Sequence, residues 1–177
     1  VTVDSLSTEL KGVVWDVDGM VHWASFSTDK LPDYKILNTP DPNLPINATM
    51  MVDGVLYAST LDVSQGTSEL YTVDPNSFRA NKVGASSIAY MDMTYGPGSG
   101  YGYGVFFNNV VLINLNTGDY VGAWDWSEGY TADLVGITYY GSEYDSKYGA
   151  YKDYFLILDA DGNVYLEAFL VTANDKG

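Results

Sequence analysis

Cysteine is absent from this 177-residue chain, and histidine occurs once. The first absence removes disulfides, thiolate metal sites and cysteine nucleophiles together. The second leaves His22 as the only imidazole for a Ser-His-Asp arrangement, and no Gly-x-Ser-x-Gly elbow accompanies it. Histidine-based zinc sites need several ligands and are excluded on the same count. Basic residues are scarce: 8 Lys and Arg face 23 Asp and Glu, a formal net charge of -15. Such a chain repels phosphate backbones, so nucleic acid and anionic membranes are poor partners. No stretch approaches the roughly 20 apolar residues that span a bilayer. With no signal peptide before Val1, an exported protein is expected to be represented here by a mature or excised piece. Helical periodicity is nearly missing too, because Gly, Pro or strict alternation interrupts almost every run. The absences leave an all-β chain that fits export.

What is abundant is aromatic surface and a repeated hairpin. Aromatics make up 15% of residues, sixteen of them tyrosine. Four times a short apolar run climbs to Asp or Asn and turns into a second alternating run. The runs are Val13 to Asp16, Leu70 to Asp74, Leu112 to Asn116 and Phe155 to Asp159. The last three turn positions lie 42 and 43 residues apart, and Met93 and Ile137, each preceding a Thr-Tyr pair, lie 44 apart. A self-similar hairpin at that period is the mark of a β-propeller blade. The expected architecture is a β-propeller-like array of four-stranded antiparallel blades in one domain over 1–177. It holds a partial blade at 10–26 and blades at about 47–84, 90–126 and 134–170. Four of the six prolines (Pro32, Pro40, Pro42 and Pro45) fall between the partial blade and the first full one. They confine that stretch to a long loop with at most an edge strand. In the last blade, Gly141 to Lys147 reads as an inserted polar loop. Lys152-Asp153 reads as a break between two strands.

The count is about 3.5–4 blades, whereas propellers close with roughly four to eight. Three arrangements resolve this. The Pro-rich stretch with Val1 to Leu10 completes a small ring, or an identical copy or another chain supplies the rest. In the third, the hairpins belong to a twisted array or sandwich. An open stack would leave strand edges that invite pairing.

The units resemble the secreted propeller repeats of bacterial surface proteins. Leu70 to Asn76, Tyr103-Gly104-Val105 and Leu112 to Gly118 stand for that repeat's recurring elements. The aromatic and acidic composition is similar to that of adhesion and glycan-binding modules from fibre- or starch-degrading anaerobic gut bacteria. The resemblance implies an extracellular or cell-surface protein.

Sugar rings expose apolar C–H faces that stack on flat aromatic rings, with Asp or Asn beside them to bond hydroxyls. Loop aromatics here are therefore expected to bind a poly- or oligosaccharide. Trp126, Tyr101, Tyr130, Tyr140 and Tyr144 are the candidate stackers, and Asp125, Asn108 and Asp145 the candidate hydroxyl partners. Tyr103 shares the Gly-rich stretch of Tyr101, where little side-chain bulk would cover either ring. Asp16-Val17-Asp18-Gly19 and Asp159-Ala160-Asp161-Gly162 open like calcium loops, but their twelfth places are Ser27 and Leu170. Hairpin turns explain both without metal. The five glutamates offer no recognisable hydrolytic pair, and Glu69 and Glu167 read as outward strand residues. The expected function is non-catalytic carbohydrate binding, with no cofactor. The alternative is a structural or interaction segment of a surface protein that completes its propeller with another chain.

Overall fold

A computed structural model describes residues 10–15, 21–27, 30–36, 46–62, 64–74, 79–125, 130 and 132–171, with backbone alone for 10–36 and 124–125. The described residues form fourteen strands and no helix. They are β1 (Leu10–Trp15), β2 (Val21–Ser27), β3 (Lys30–Ile36), β4 (Ile46–Val52), β5 (Val55–Thr60), β6 (Ser68–Val73) and β7 (Ala80–Ser86). There follow β8 (Asp92–Gly96), β9 (Tyr101–Phe106), β10 (Asn109–Ile113), β11 (Tyr120–Asp125), β12 (Leu134–Asp145), β13 (Ala150–Asp159) and β14 (Val164–Leu170). Strands pair only with sequence neighbours, giving four antiparallel meanders: β1–β3, β4–β7, β8–β11 and β12–β14. The chain is an all-β, propeller-like array, and among the described residues no helix is long and apolar enough to cross a membrane.

Alternation explains how the sheets stack. In β9, Tyr103 and Val105 share a face with their cross-strand partners Leu112 and Val110 of β10. These four pack on Ile137, Phe155, Ile157 and Phe169 of the last sheet. On the opposite face, Val111 and Ile113 pack on Ala48, Met50 and Leu70 of the sheet before. Gly102 and Gly104 lie on that second face. A Cβ on Gly102 would sit 3.0 Å from the Met50 Cε, and one on Gly104 3.0 Å from the Tyr90 Cδ1. Gly102-Tyr103-Gly104 is thus one strand with a flat side for one neighbour and a large ring for the other. Each fully buried apolar side chain of this kind contributes roughly 1.5–3 kcal/mol.

The first strands of consecutive sheets also touch: β4 lies against β8, and β8 against β12. Each is a sheet edge, and side chains capture its neighbour's backbone. The Asn47 amide donates to the carbonyls of Tyr90 (2.8 Å) and Met91 (3.0 Å). The Ile137 N–H donates to the Asp92 carboxylate (3.0 Å), and the Tyr139 N–H to the Thr94 hydroxyl (3.3 Å). Burial holds the Asp92 carboxyl above the ordinary carboxylate range, and its backbone hydrogen bonds oppose that rise.

The edge strand allowed in the Pro-rich stretch is present, and the reading of the last unit changes. The strands of the partial unit at 10–26 are joined by β3, an edge strand that includes Pro32. Its register with β2 shifts between Ser25 and Ser27, and proline is tolerated at such an irregular edge. Among the described residues the last unit has three strands where four were expected. Gly141 to Asp145 is strand rather than inserted loop, and Lys152-Asp153 lies inside β13. The register shifts at Tyr140, between Tyr139 and Gly141. That bulge breaks the alternation, so the residues beyond it read as loop.

Candidate functional site

The bulge at Tyr140 lets β12 and β13 continue as a long hairpin toward the Ser146–Gly149 turn. Asp145 shapes that turn. Its carbonyl accepts the Tyr148 and Gly149 N–H groups (3.2 and 2.9 Å), and its Oδ1 accepts the Lys147 N–H (3.0 Å). Four tyrosines stand out from this hairpin: Tyr140, Tyr144, Tyr148 and Tyr151, 67%, 56%, 53% and 47% exposed. Tyr144 and Tyr151 are cross-strand partners whose rings meet edge to face at 5.3 Å. The Lys147 Nζ lies 4.7 Å from the Tyr148 ring centre. On the other face, Lys152 sits opposite Glu143 in register and pairs with the Asp145 carboxylate at 3.5 Å. The Tyr154 hydroxyl donates to Glu143 at 3.0 Å. That bond, first among the causes, holds the Tyr154 phenol above its ordinary value. Glu143, Tyr144, Asp145, Ser146 and Lys152 line an open recess of about 260 Å³.

A buried carboxylate fixes the hairpin's base. Asp153 is fully buried. Its Oδ1 accepts the Gly98 N–H (3.1 Å) and the Ser142 hydroxyl. Its Oδ2 accepts the Ser99 N–H (2.9 Å) and lies 3.3 Å from the Tyr103 hydroxyl. The Ser142 oxygen lies 2.8 Å from that of Tyr139, extending the network along the strand. Asp153 therefore ties the Gly96–Gly100 turn of one sheet to the hairpin of the next. The approach is so close that a Cβ on Gly98 would meet the Asp153 Oδ1 at 2.5 Å and the Tyr151 Cβ at 2.6 Å.

The expected site residues that the structure describes lie in more than one place. Tyr140, Tyr144 and Asp145 lie along the hairpin. Tyr101 opens β9 at the Gly96–Gly100 end and is half-buried against the core. Asn108 lies at the other end of β9, in the turn before β10, and Asp125 faces Asn109 there in register. The Leu134 N–H donates to the Phe107 carbonyl, so β12 also begins at that far end. Eleven steps of about 3.3 Å then carry β12 to Asp145, roughly 35 Å away. The Asp125 side chain and all of Trp126 lie outside the described residues. The Oδ1 of Asn108 is buried and accepts no hydrogen bond among the described residues.

Tyr130 is corrected from exposed stacker to core residue. It is 7% exposed and packs edge to face on Tyr165 at 4.8 Å, and burial drives its phenol far above the ordinary value. Tyr103 is fully buried, because the bulk covering it comes from Phe155 and Phe169 of the next sheet. Glu167 lies on the core side beside Tyr130, where partial burial raises its carboxyl. Glu69 accepts from the Tyr71 hydroxyl and pairs with Lys82. The Asp159 carboxylate accepts from the Asp161 and Asn163 N–H groups, the Asn163 amide and the Tyr165 hydroxyl, at 2.8–3.0 Å. That turn spends its carboxylate on the protein, and no group of three or more metal-ligating side chains occurs among the described residues. The Asp16 turn lies outside them.

No protein-family model and no curated protein matches the chain. Solved structures do. Saccharomyces cerevisiae Sqt1 superposes with a TM-score of 0.50 at 10% identity, over 99% of this chain and 51% of its own. For Kuenenia stuttgartiensis hydrazine synthase the values are 0.49, 14%, 97% and 48%. For the β-propeller domain of Myceliophteria thermophila Cps50 (Swd1) they are 0.44, 9%, 91% and 57%. At these identities the likeness concerns fold alone. This chain spans about half the length of each.

Proposed function

We propose that this chain is a non-catalytic, extracellular carbohydrate-binding segment of a secreted bacterial surface protein, with the β12–β13 hairpin as its binding element. One observation carries the reading: Tyr140, Tyr144, Tyr148 and Tyr151 are exposed together on a hairpin whose base is locked by Asp153. Rigid rings lose little conformational freedom on binding, and their flat faces suit the C–H faces of pyranose rings. Glu143, Asp145, Ser146 and Lys152, around the adjoining recess, supply both acceptors and donors for hydroxyls. The acidity of the chain favours a neutral polymer over an anionic one. Asn108 and the backbone of Asp125 stand outside this site, and Tyr101 flanks it.

The test is electrophoresis in native gels cast with starch, xylan, β-glucan or mannan. Retardation is expected in at least one gel. The Tyr144→Ala, Tyr148→Ala double variant should bind about tenfold more weakly or worse, since each lost ring removes roughly 0.5–1.5 kcal/mol of stacking. Unretarded migration in all four gels, or undiminished retardation of the variant, would refute the reading. The second reading, an interaction segment that joins another polypeptide, is favoured by Leu158, Val164 and Leu166, which are exposed on the outer face of the last sheet.

A further inference from the structure

The rings of Tyr144 and Tyr151 do not lie in one plane. They meet across the β12–β13 register with centres 5.3 Å apart and planes inclined at 65°. Edge-to-face contact is a favoured arrangement of two aromatic rings, so this angle is the pair's resting geometry. Its base is fixed as well. Tyr151 sits so close to the Gly96–Gly100 turn that a Cβ on Gly98 would lie 2.6 Å from the Tyr151 Cβ. Asp153, next along the same face of β13, holds that turn to the hairpin through the Gly98 and Ser99 N–H groups. Both rings remain about half exposed. Their separation is on the scale of one pyranose unit, so neighbouring units of a glycan chain can each rest on one ring.

A flat sugar ribbon, or the planar surface of a crystalline polymer, covers only one of two rings inclined this steeply. Laying the second ring flat would break the edge-to-face contact. A chain whose sugar planes rotate from unit to unit can stack on both. The recess adds a second turn. Glu143 and Lys152, which line it, are cross-strand partners on the opposite face of the hairpin from Tyr144 and Tyr151, and Tyr144 borders it too. At about 260 Å³ it is smaller than the roughly 300–1,000 Å³ of drug-sized ligand pockets, so it admits one sugar ring rather than a length of chain. A chain that uses the ring pair and the recess together has to bend round the hairpin at Tyr144.

From this geometry we propose that the hairpin takes a single soluble glycan chain whose sugar planes turn from unit to unit, as in amylose or xylan, and not the flat face of cellulose or linear mannan. The proposal rests on the carbohydrate reading and narrows it to a class of ligand. Linkage chemistry separates the two classes. The axial anomeric bond of amylose swings each unit away from the last. Xylan lacks the hydroxymethyl group that helps hold neighbouring units in line, so it twists along its length. In cellulose and linear mannan the linking bonds are equatorial at both ends, which keeps the ribbon extended and lets ribbons pack into planes. The site then holds about three units, one on each ring and one in the recess.

The test pairs calorimetric titration of soluble starch, xylan and their oligosaccharides with co-sedimentation on microcrystalline cellulose and crystalline mannan. Binding to starch or xylan is expected, with the protein left in the supernatant of both crystalline polymers. Affinity for the matching oligosaccharides should rise up to about three units and then level off. Tyr151→Ala keeps the Cβ beside Gly98, so its circular dichroism should match that of the parent. Its affinity for the soluble chain should fall about fivefold or more, while Tyr151→Phe, which keeps the ring, should bind as the parent does. Retention on either crystalline polymer, or binding confined to cellulose-type and mannan-type chains, overturns the proposal and leaves the carbohydrate reading standing. Undiminished binding by Tyr151→Ala overturns it as well. Failure to bind any of these glycans overturns both.

Discussion

Replacing Asp153 by Asn probes the joint on which the hairpin depends. Both carboxylate oxygens act as acceptors there. Oδ1 takes the Gly98 N–H and Ser142 hydroxyl, and Oδ2 takes the Ser99 N–H with Tyr103 alongside. An amide has one carbonyl oxygen, so whichever way Asn is turned its NH2 group faces a backbone N–H. One backbone hydrogen bond is lost, two donors are opposed, and the remaining bonds lose their ionic character. Hydrogen bonds to a charged group contribute roughly 1.5–3 kcal/mol each, and a buried donor left unmade costs about 1–3 kcal/mol. The bonds share one site and do not add. The expected destabilisation is therefore about 3 kcal/mol, a fall in Tm of about 6–12 °C for a chain of this length. Thermal melts followed by circular dichroism read the loss. Hydrogen exchange locates it, with protection lost first at residues 98–99 and 142–153. A variant that melts within about 1 °C of the parent would refute the reasoning, and so would lost protection confined to the β4–β7 sheet.

Other expectations follow from the same packing. Gly98→Ala forces a methyl against the Asp153 Oδ1 and the Tyr151 Cβ and should cost about 1–3 kcal/mol. Gly141→Ala, where no atom lies within 4 Å of the added Cβ, should be neutral within about 0.5 kcal/mol, both variants being read by urea titration. Asp92 has a folded carboxyl raised by burial, so its ionised form disfavours the fold above that raised value, and acid relieves the cost. Asp92→Asn keeps an acceptor for the Ile137 N–H and removes the charge. It should melt above the parent at pH 7, with the gap narrowing as pH falls through the raised value toward 3.8. A gap that is constant or widens in acid contradicts the assignment.

The repeat, and with it the fold, was legible because period-2 alternation and turn residues are local properties. Asp53-Gly54 turns with both residues at positive φ, as the hairpin between Val52 and Val55 requires. The site was legible only in part. Tyr140 and Tyr144 stand out from a polar stretch, and both prove exposed. Tyr130 and Tyr103 looked equally uncovered among small or polar neighbours, but their cover comes from Phe155, Phe169 and Tyr165, remote in sequence. Asp153 was hidden for the opposite reason. A charged pair in mid-strand reads as a break, and the donors that make burial affordable, Gly98 and Ser99, lie more than fifty residues earlier. The Tyr140 bulge displaced the alternation by one residue and turned a strand into an apparent loop.

Saturation-transfer NMR with short neutral oligosaccharides tests the central claim, that the tyrosine hairpin is a rigid sugar-binding surface. Irradiation of the protein should transfer saturation to sugar-ring C–H protons. The transfer should disappear in the Tyr144→Ala, Tyr148→Ala variant. No transfer to gluco-, xylo- or manno-oligosaccharides, or transfer undiminished without the two rings, would contradict it.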